Sequence, residues 1–112
     1  MQELMKKLSL FAKERDWEQF HSPKNLSMAL AVEAAEIMEH FQWLTEEQSH
    51  HLDEKTLEKV KEEIADTQIY LTRLADQLGI DPIAAANEKV KKNADKYPVE
   101  KVKGSAKKYT EL

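Results

Sequence analysis

The sequence predicts an all-α fold, a four-helix bundle-type subunit, and three observations carry that expectation. Apolar residues recur at close to 3.6 residues nearly throughout the chain. Helix-favouring residues dominate, while two glycines and three prolines among 112 residues are too few for a chain of turns and short strands. The few breakers fall where helices would begin or end.

The first helix is expected over about Gln2 to Arg15, with Leu4, Leu8 and Phe11 on one face. Asp16 to Ser22 breaks the pattern and crowds aromatic and polar side chains together. Ser22-Pro23 then reads as an N-cap followed by proline at the first helical position, where its missing N–H costs nothing. The second helix continues through Leu26, Leu30, Ile37 and Phe41 to about Trp43. Thr45 to Gln48 has the form of a capping box ahead of polar residues, and predicts a short helical turn. A long third helix spans about Glu54 to Leu78, with Leu57, Val60, Ile64, Leu71, Leu74 and Leu78 as its stripe and Gly79 as its stop. Asp81-Pro82 opens a fourth, to about Lys96, which Tyr97-Pro98 ends. Residues 99–112 are lysine-rich with little periodicity and are expected to form an extended tail. No repeat or linker divides the chain, so 1–112 reads as one domain.

Charged residues make up 34% of the chain and the formal net charge is −4, which argues against a nucleic-acid partner. A phosphate substrate held through a metal remains open. The lack of cysteine removes disulfides and thiolate metal sites and fits a reducing compartment. Met1 to Arg15 is charged and amphipathic, unlike a signal peptide, and no stretch nears the ~20 apolar residues of a membrane span. A soluble, cytoplasmic protein without a membrane partner is the expectation.

The candidate chemistry lies in two acidic pairs. At about 100° per residue, Leu26, Leu30, Ile37 and Phe41 cluster within an arc of roughly 60° on the second helix. Glu33 falls in or against that arc, and Glu36 lies beside it. On the third helix Glu63 and Asp66 flank the apolar stripe with the same i, i+3 spacing. A carboxylate on a core-facing stripe is costly unless something compensates its charge. If the helices pack antiparallel, four carboxylates converge, and their mutual repulsion favours a hard cation such as Mg²⁺ between them. Acidic pairs ordinarily sit on solvated faces, so either pair alone carries little. A carboxylate-bridged di-iron bundle needs inward-facing Glu-x-x-His on two helices. Glu18-x-x-His21 and Glu47-x-x-His50 have that spacing, but in the least periodic parts of the chain. A non-catalytic helical module, its acids binding a structural cation or lysines, also stays open.

Glu33-x-x-Glu36, 26 intervening residues and Glu63-x-x-Asp66 resemble the signature of the MazG-like all-α nucleoside triphosphate pyrophosphohydrolases. Glu14 to His21, Ser22 to Leu26, Phe41-Gln-Trp43, Glu62 to Asp66, Lys96-Tyr-Pro98 and Lys108 to Leu112 resemble the dCTP pyrophosphatase branch. The likeness spans most of the chain, but the segment from Trp43 to Leu57 shows no such match. It implies hydrolysis of (deoxy)nucleoside triphosphates, dCTP or related dNTPs, to monophosphate and pyrophosphate, clearing unwanted nucleotides from the pool. It implies Mg²⁺, with Mn²⁺ as a substitute, held by Glu33, Glu36, Glu63 and Asp66, one of which acts on the attacking water; Glu33, set deepest in the apolar stripe, is the one expected to do so. Trp17, His21 and Trp43 would form the base pocket, and Tyr70 would close it near the sugar. Lys89, Asn93, Lys96 and Tyr97, stacked on one side of the fourth helix, would contact phosphate, as would Lys24 and Asn25. His40, His50 and His51 are read as surface or capping histidines. Family likeness further implies a homo-oligomer, a tetramer built from dimers, forming an oligomeric helical bundle. The spread of Trp17, Phe20, Trp43 and Tyr97 along a small chain agrees with that.

Overall fold

The computed structural model describes residues 1–105. Among them all regular structure is helical, as the periodicity requires. The chain forms two compact units, Met1–Ile80 and a second beginning at Asp81.

In the first unit α1 is Gln2–Glu14. It ends where Asp16 takes a left-handed conformation, φ 54°. The Asp16 N–H donates to the Lys13 carbonyl at 3.1 Å and the Trp17 N–H to the Ala12 carbonyl at 2.9 Å, which closes a Schellman-type stop. A 3-10 turn, Glu18–Phe20, follows. α2, Pro23–Glu39, starts as the sequence predicts: the Ser22 hydroxyl accepts the Asn25 N–H at 3.1 Å and proline occupies the first turn. It ends sooner than expected. Phe41 to Trp43 lie in a turn rather than in the helix. Phe41 stays half-buried there, so the apolar period outlasts the helix that it appeared to mark.

The capping box at Thr45 and Gln48 forms, and starts the single turn α3, Glu46–Ser49. Asp53 then caps α4, Glu54–Gln77, by accepting the Thr56 N–H at 2.7 Å. Gly79, φ 67°, repeats the α1 stop, with the Ile80 N–H donating to the Ala75 carbonyl at 2.9 Å.

α4 packs chiefly against α2 and less extensively against α1. The two main helices run antiparallel: His21, just before α2, meets Arg73 late in α4, while His40, just past α2, meets Glu63 in the first half of α4. The buried residues are few and mostly small, namely Ala12, Leu26, Val60, Thr72 and Ala75, with Arg73 among them. Much apolar surface stays outside. Leu57, Ile64, Leu71 and Leu78 repeat every seven residues along α4 and are all exposed.

The second unit holds α5, Pro82–Lys96, capped by Asp81, whose carboxylate accepts the Ile83 and Ala84 N–H groups. Past Tyr97-Pro98 the chain forms one more helical turn, α6, Val99–Val102, where an extended tail was expected. Residues 106–112 of that tail lie outside the described residues. No helix of the described residues is long and apolar enough to cross a membrane.

Candidate active site

The antiparallel pairing of α2 and α4 brings the acidic pairs together. Glu33, Glu36 and Glu63 are half-buried and Asp66 is exposed. Burial pushes the Glu33 carboxyl above its ordinary range, and a hydrogen bond with Glu36 raises it further. The charges of Glu36, Asp66 and Glu63 act in the same direction, so all four residues share one electrostatic neighbourhood. Glu33 Oε2 and Glu63 Oε2 are shut off from solvent without a hydrogen-bond partner among the described residues. His40 Nε2 comes within 2.7 Å of Glu63 Oε2, yet the oxygen lacks an aligned donor. His40, the C-cap residue of α2, is therefore half-buried against the acidic group, which goes beyond the surface or capping place expected from the sequence. Among the described residues, no three acidic or histidine side chains stand close enough around one point to hold an ion as they are. Side-chain rotation toward a common centre would be needed.

A donor set of orphaned, crowded carboxylate oxygens suits a hard divalent cation, which takes oxygen ligands and offsets the charge that burial penalises. The residues present therefore fit such a group.

Beside the acids lies a cavity of about 110 Å³ lined by Leu8, Phe11, Trp17, Asp66, Tyr70 and Arg73, with His21 also on its wall. The left-handed Asp16 turns the chain so that the Trp17 ring meets Phe11 edge-on, centroids 5.8 Å apart, and His21 at 6.5 Å. Asp66 and Tyr70 are one turn apart on α4, so one helix face carries both an acid of the cluster and a wall of the cavity. Three of the four residues expected around a base, Trp17, His21 and Tyr70, thus line one space. Trp43 does not join them: it stands 86% exposed beyond the end of α2, in a groove with His40 and Leu44.

Lys24 and Asn25 are exposed at the start of α2. The Asn25 side chain donates to the Phe20 carbonyl at 3.1 Å, so it fastens the aromatic turn to the helix. In the second unit Lys89 and Lys96 are exposed on α5 and Asn93 is half-buried. The charge of Lys96 holds the Lys89 ammonium below its ordinary range, as expected of cations stacked along one face. The Tyr97 N–H donates to the Asn93 carbonyl at 2.8 Å.

Arg73 was not singled out in the sequence. It is 3% exposed and donates from Nε to His21 Nδ1 at 3.3 Å. One signal was available, since Asp66, Tyr70 and Arg73 lie at i, i+4 and i+7 on one face.

A family model described as the MazG-like family matches residues 28–112. The chain belongs to the MazG-like family. This MazG-like chain is 44% identical over 104 residues to dCTP pyrophosphatase 1 of Mus musculus, the match covering 91% of this chain and 61% of the relative. Against dCTP pyrophosphatase 1 of Homo sapiens the identity is 41% over 104 residues, with 91% and 61% covered. The chain thus spans about three fifths of the length of these curated relatives. Among solved structures, a pyrophosphatase from Archaeoglobus fulgidus superposes with a TM-score of 0.83 at 41% identity. That match covers 88% of the MazG-like chain and 92% of the Archaeoglobus chain.

Proposed function

We propose that this MazG-like chain hydrolyses nucleoside triphosphates, dCTP or related dNTPs, to the monophosphate and pyrophosphate, in a reaction that requires Mg²⁺. The observation that carries the reading is the pair of orphaned oxygens, Glu33 Oε2 and Glu63 Oε2, in an acidic cluster that borders an aromatic cavity. Two relatives named dCTP pyrophosphatase 1 and a pyrophosphatase of like fold support the same reaction class.

Glu33, Glu36, Glu63 and Asp66 would hold the ion, with Mn²⁺ as a substitute. When bound, the ion supplies charge neutralisation for the triphosphate and its leaving group. The remaining work belongs to the chain. Glu33, with one oxygen left unpartnered in the acidic group, accepts the proton of the attacking water. The water oxygen bonds to the α-phosphorus, the bond from that phosphorus to the bridging oxygen breaks, and pyrophosphate leaves. His40, against Glu63, is a positioning residue that holds this carboxylate in place. Trp17 and Tyr70 take the base and sugar between aromatic walls, where stacking contributes roughly 1–3 kcal/mol per base. In the second unit, the crowded ammoniums of Lys89 and Lys96 support a phosphate-contacting role for that face, together with Asn93 and Tyr97. Lys24 and Asn25 keep the same role at the start of α2, whose N-terminus favours anions.

The chain further works as a homo-oligomer, proposed as a tetramer built from dimers. The exposed heptad stripe of α4 and the exposed Trp43 support this. A cytoplasmic place and a role in clearing unwanted nucleotides complete the proposal.

The test is purified protein with each common dNTP and NTP, with and without Mg²⁺, scored by product. Monophosphate plus pyrophosphate in the presence of Mg²⁺ alone is expected. Diphosphate plus orthophosphate, or activity indifferent to chelation, would overturn the reading.

A further inference from the structure

Arg73 is a buried charge that the scheme above leaves unused. A guanidinium keeps its proton, so burial must be matched by acceptors. The chain supplies two: His21 Nδ1, 3.3 Å from Nε, and Asp76 Oδ2, 3.4 Å from Nη1. Neither engages Nη2, which makes no hydrogen bond among the described residues. Both Arg73 and His21 line the aromatic cavity.

The bond to His21 decides where the imidazole carries its hydrogen. Nδ1 accepts from Arg73 only if bare, so the neutral ring bears its hydrogen on Nε2. Burial and, after it, the Arg73 charge hold the ring below its ordinary pKa, which keeps it neutral. The pair therefore offers donors and no acceptor: the Nη2 hydrogens of Arg73 and the Nε2 hydrogen of His21. Leu8, Phe11 and Ile69 add apolar wall, and the acceptor on the lining, the Asp66 carboxylate, belongs to the acidic group rather than to this pair.

We propose that Arg73 sets the base preference of this chain, forming with His21 a donor-only wall that selects the adjacent N3 and O2 acceptors of cytosine. The inference rests on the nucleotide-hydrolase reading above. Thymine and uracil carry a hydrogen on N3 and would set donor against donor, which costs more than a missing contact. Guanine is the rival, because its N7 and O6 are also adjacent acceptors and suit arginine. dGTP therefore stands beside dTTP as a competing substrate in the test.

The experiment compares wild type, Arg73→Met and Arg73→Lys by kcat/KM on dCTP, dTTP and dGTP with Mg²⁺. Calorimetric binding of dCMP and dTMP and ¹⁵N NMR of the His21 ring accompany it. Wild type should prefer dCTP, with a bare Nδ1 and a protonated Nε2. Arg73→Met should lower the dCTP-over-dTTP ratio by about 10- to 100-fold, chiefly through dCTP, and admit the other tautomer. Arg73→Lys should restore part of the ratio, since it offers one donor position in place of a fork. Preference of wild type for dTTP or dGTP, a protonated Nδ1, or unchanged ratios in a folded Arg73→Met would each overturn the proposal. If Arg73→Met does not fold, the Arg73→Lys ratio and the wild-type tautomer decide. If wild type hydrolyses no triphosphate, the catalytic reading fails by itself. The dCMP-over-dTMP binding ratio then decides this one: a fall in Arg73→Lys upholds it, and no change ends it.

Discussion

Glu33 meets three influences that act on its proton in one direction: burial, a neighbouring carboxyl within hydrogen-bonding reach, and the charges of three acids. In the folded chain the proton is bound more tightly than in the unfolded chain, so ionised Glu33 opposes folding at neutral pH. Without metal, Glu33→Gln should melt a few degrees above wild type at pH 7.5, by about 2–5 °C. The gap should shrink as pH falls through the raised pKa, because wild type then takes up its proton and the penalty disappears. Thermal melts at stepped pH measure this. Added Mg²⁺ should reverse the order, since wild type gains binding energy that the variant lacks. Activity of Glu33→Gln should drop by roughly 100-fold or more, given the typical effect of removing a group that acts in the transition state. His40→Ala, which removes the neighbour of Glu63, should weaken Mg²⁺ activation by about tenfold and leave the ratio between dCTP and dTTP unchanged. A titration of rate against Mg²⁺ checks that expectation. The acids were legible in the sequence because each pair follows the helical period beside an apolar stripe. His40 and Arg73 were not, because what buries them stands on another segment: the bond from Arg73 to His21 joins residues 52 apart. A histidine or arginine at such a position looks, residue by residue, like a member of a solvated face.

At the scale of elements, helix starts were more legible than helix ends. Ser22-Pro23, Thr45 with Gln48, and Asp81-Pro82 each satisfy orphan N–H groups with side chains close in sequence, so the signal is local. Ser22→Ala should cost about 1 kcal/mol by leaving the Asn25 N–H uncapped, and lower Tm by several degrees. Leu26→Ala, one turn on, should cost more, roughly 2–5 kcal/mol, because Leu26 is 1% exposed in a core with few large residues. Denaturant melts of both variants set the order. The end of α2 was misplaced for a physical reason: Phe41 keeps the apolar register of Ile37 although the backbone has already turned. Periodicity reports which side chains seek the core, and a turn can present one of them as well as a helix can. Residues 99–102 err the other way, since a single helical turn is too short to show a period.

For the whole molecule, the imbalance between inside and outside matters most. The core is small, while Leu57, Ile64, Leu71 and Leu78 form an exposed seam with a coiled-coil repeat, and Ile64 in its middle is 53% exposed. If that seam meets another copy, Ile64→Glu should shift sedimentation toward smaller species and lower Tm, with the loss growing on dilution. A species of unchanged size would show that the seam is not the contact. The apolar stripe read from the sequence as core holds the buried Val60 but also the exposed Leu57, Ile64, Leu71 and Leu78, while Thr72, Arg73 and Ala75 are buried off that stripe. Only the packing partner separates them.

The left-handed Asp16 reaches further than the end of α1. Through it the Trp17 amide is tied to the carbonyl of Ala12, a residue that is itself buried, although the indole stands in part outside. In amide exchange Trp17 should therefore be protected like a helical residue, while its exposed neighbours exchange quickly. A flat ligand that lands on this ring would meet a surface already immobilised by the backbone, and would surrender little motion on arrival.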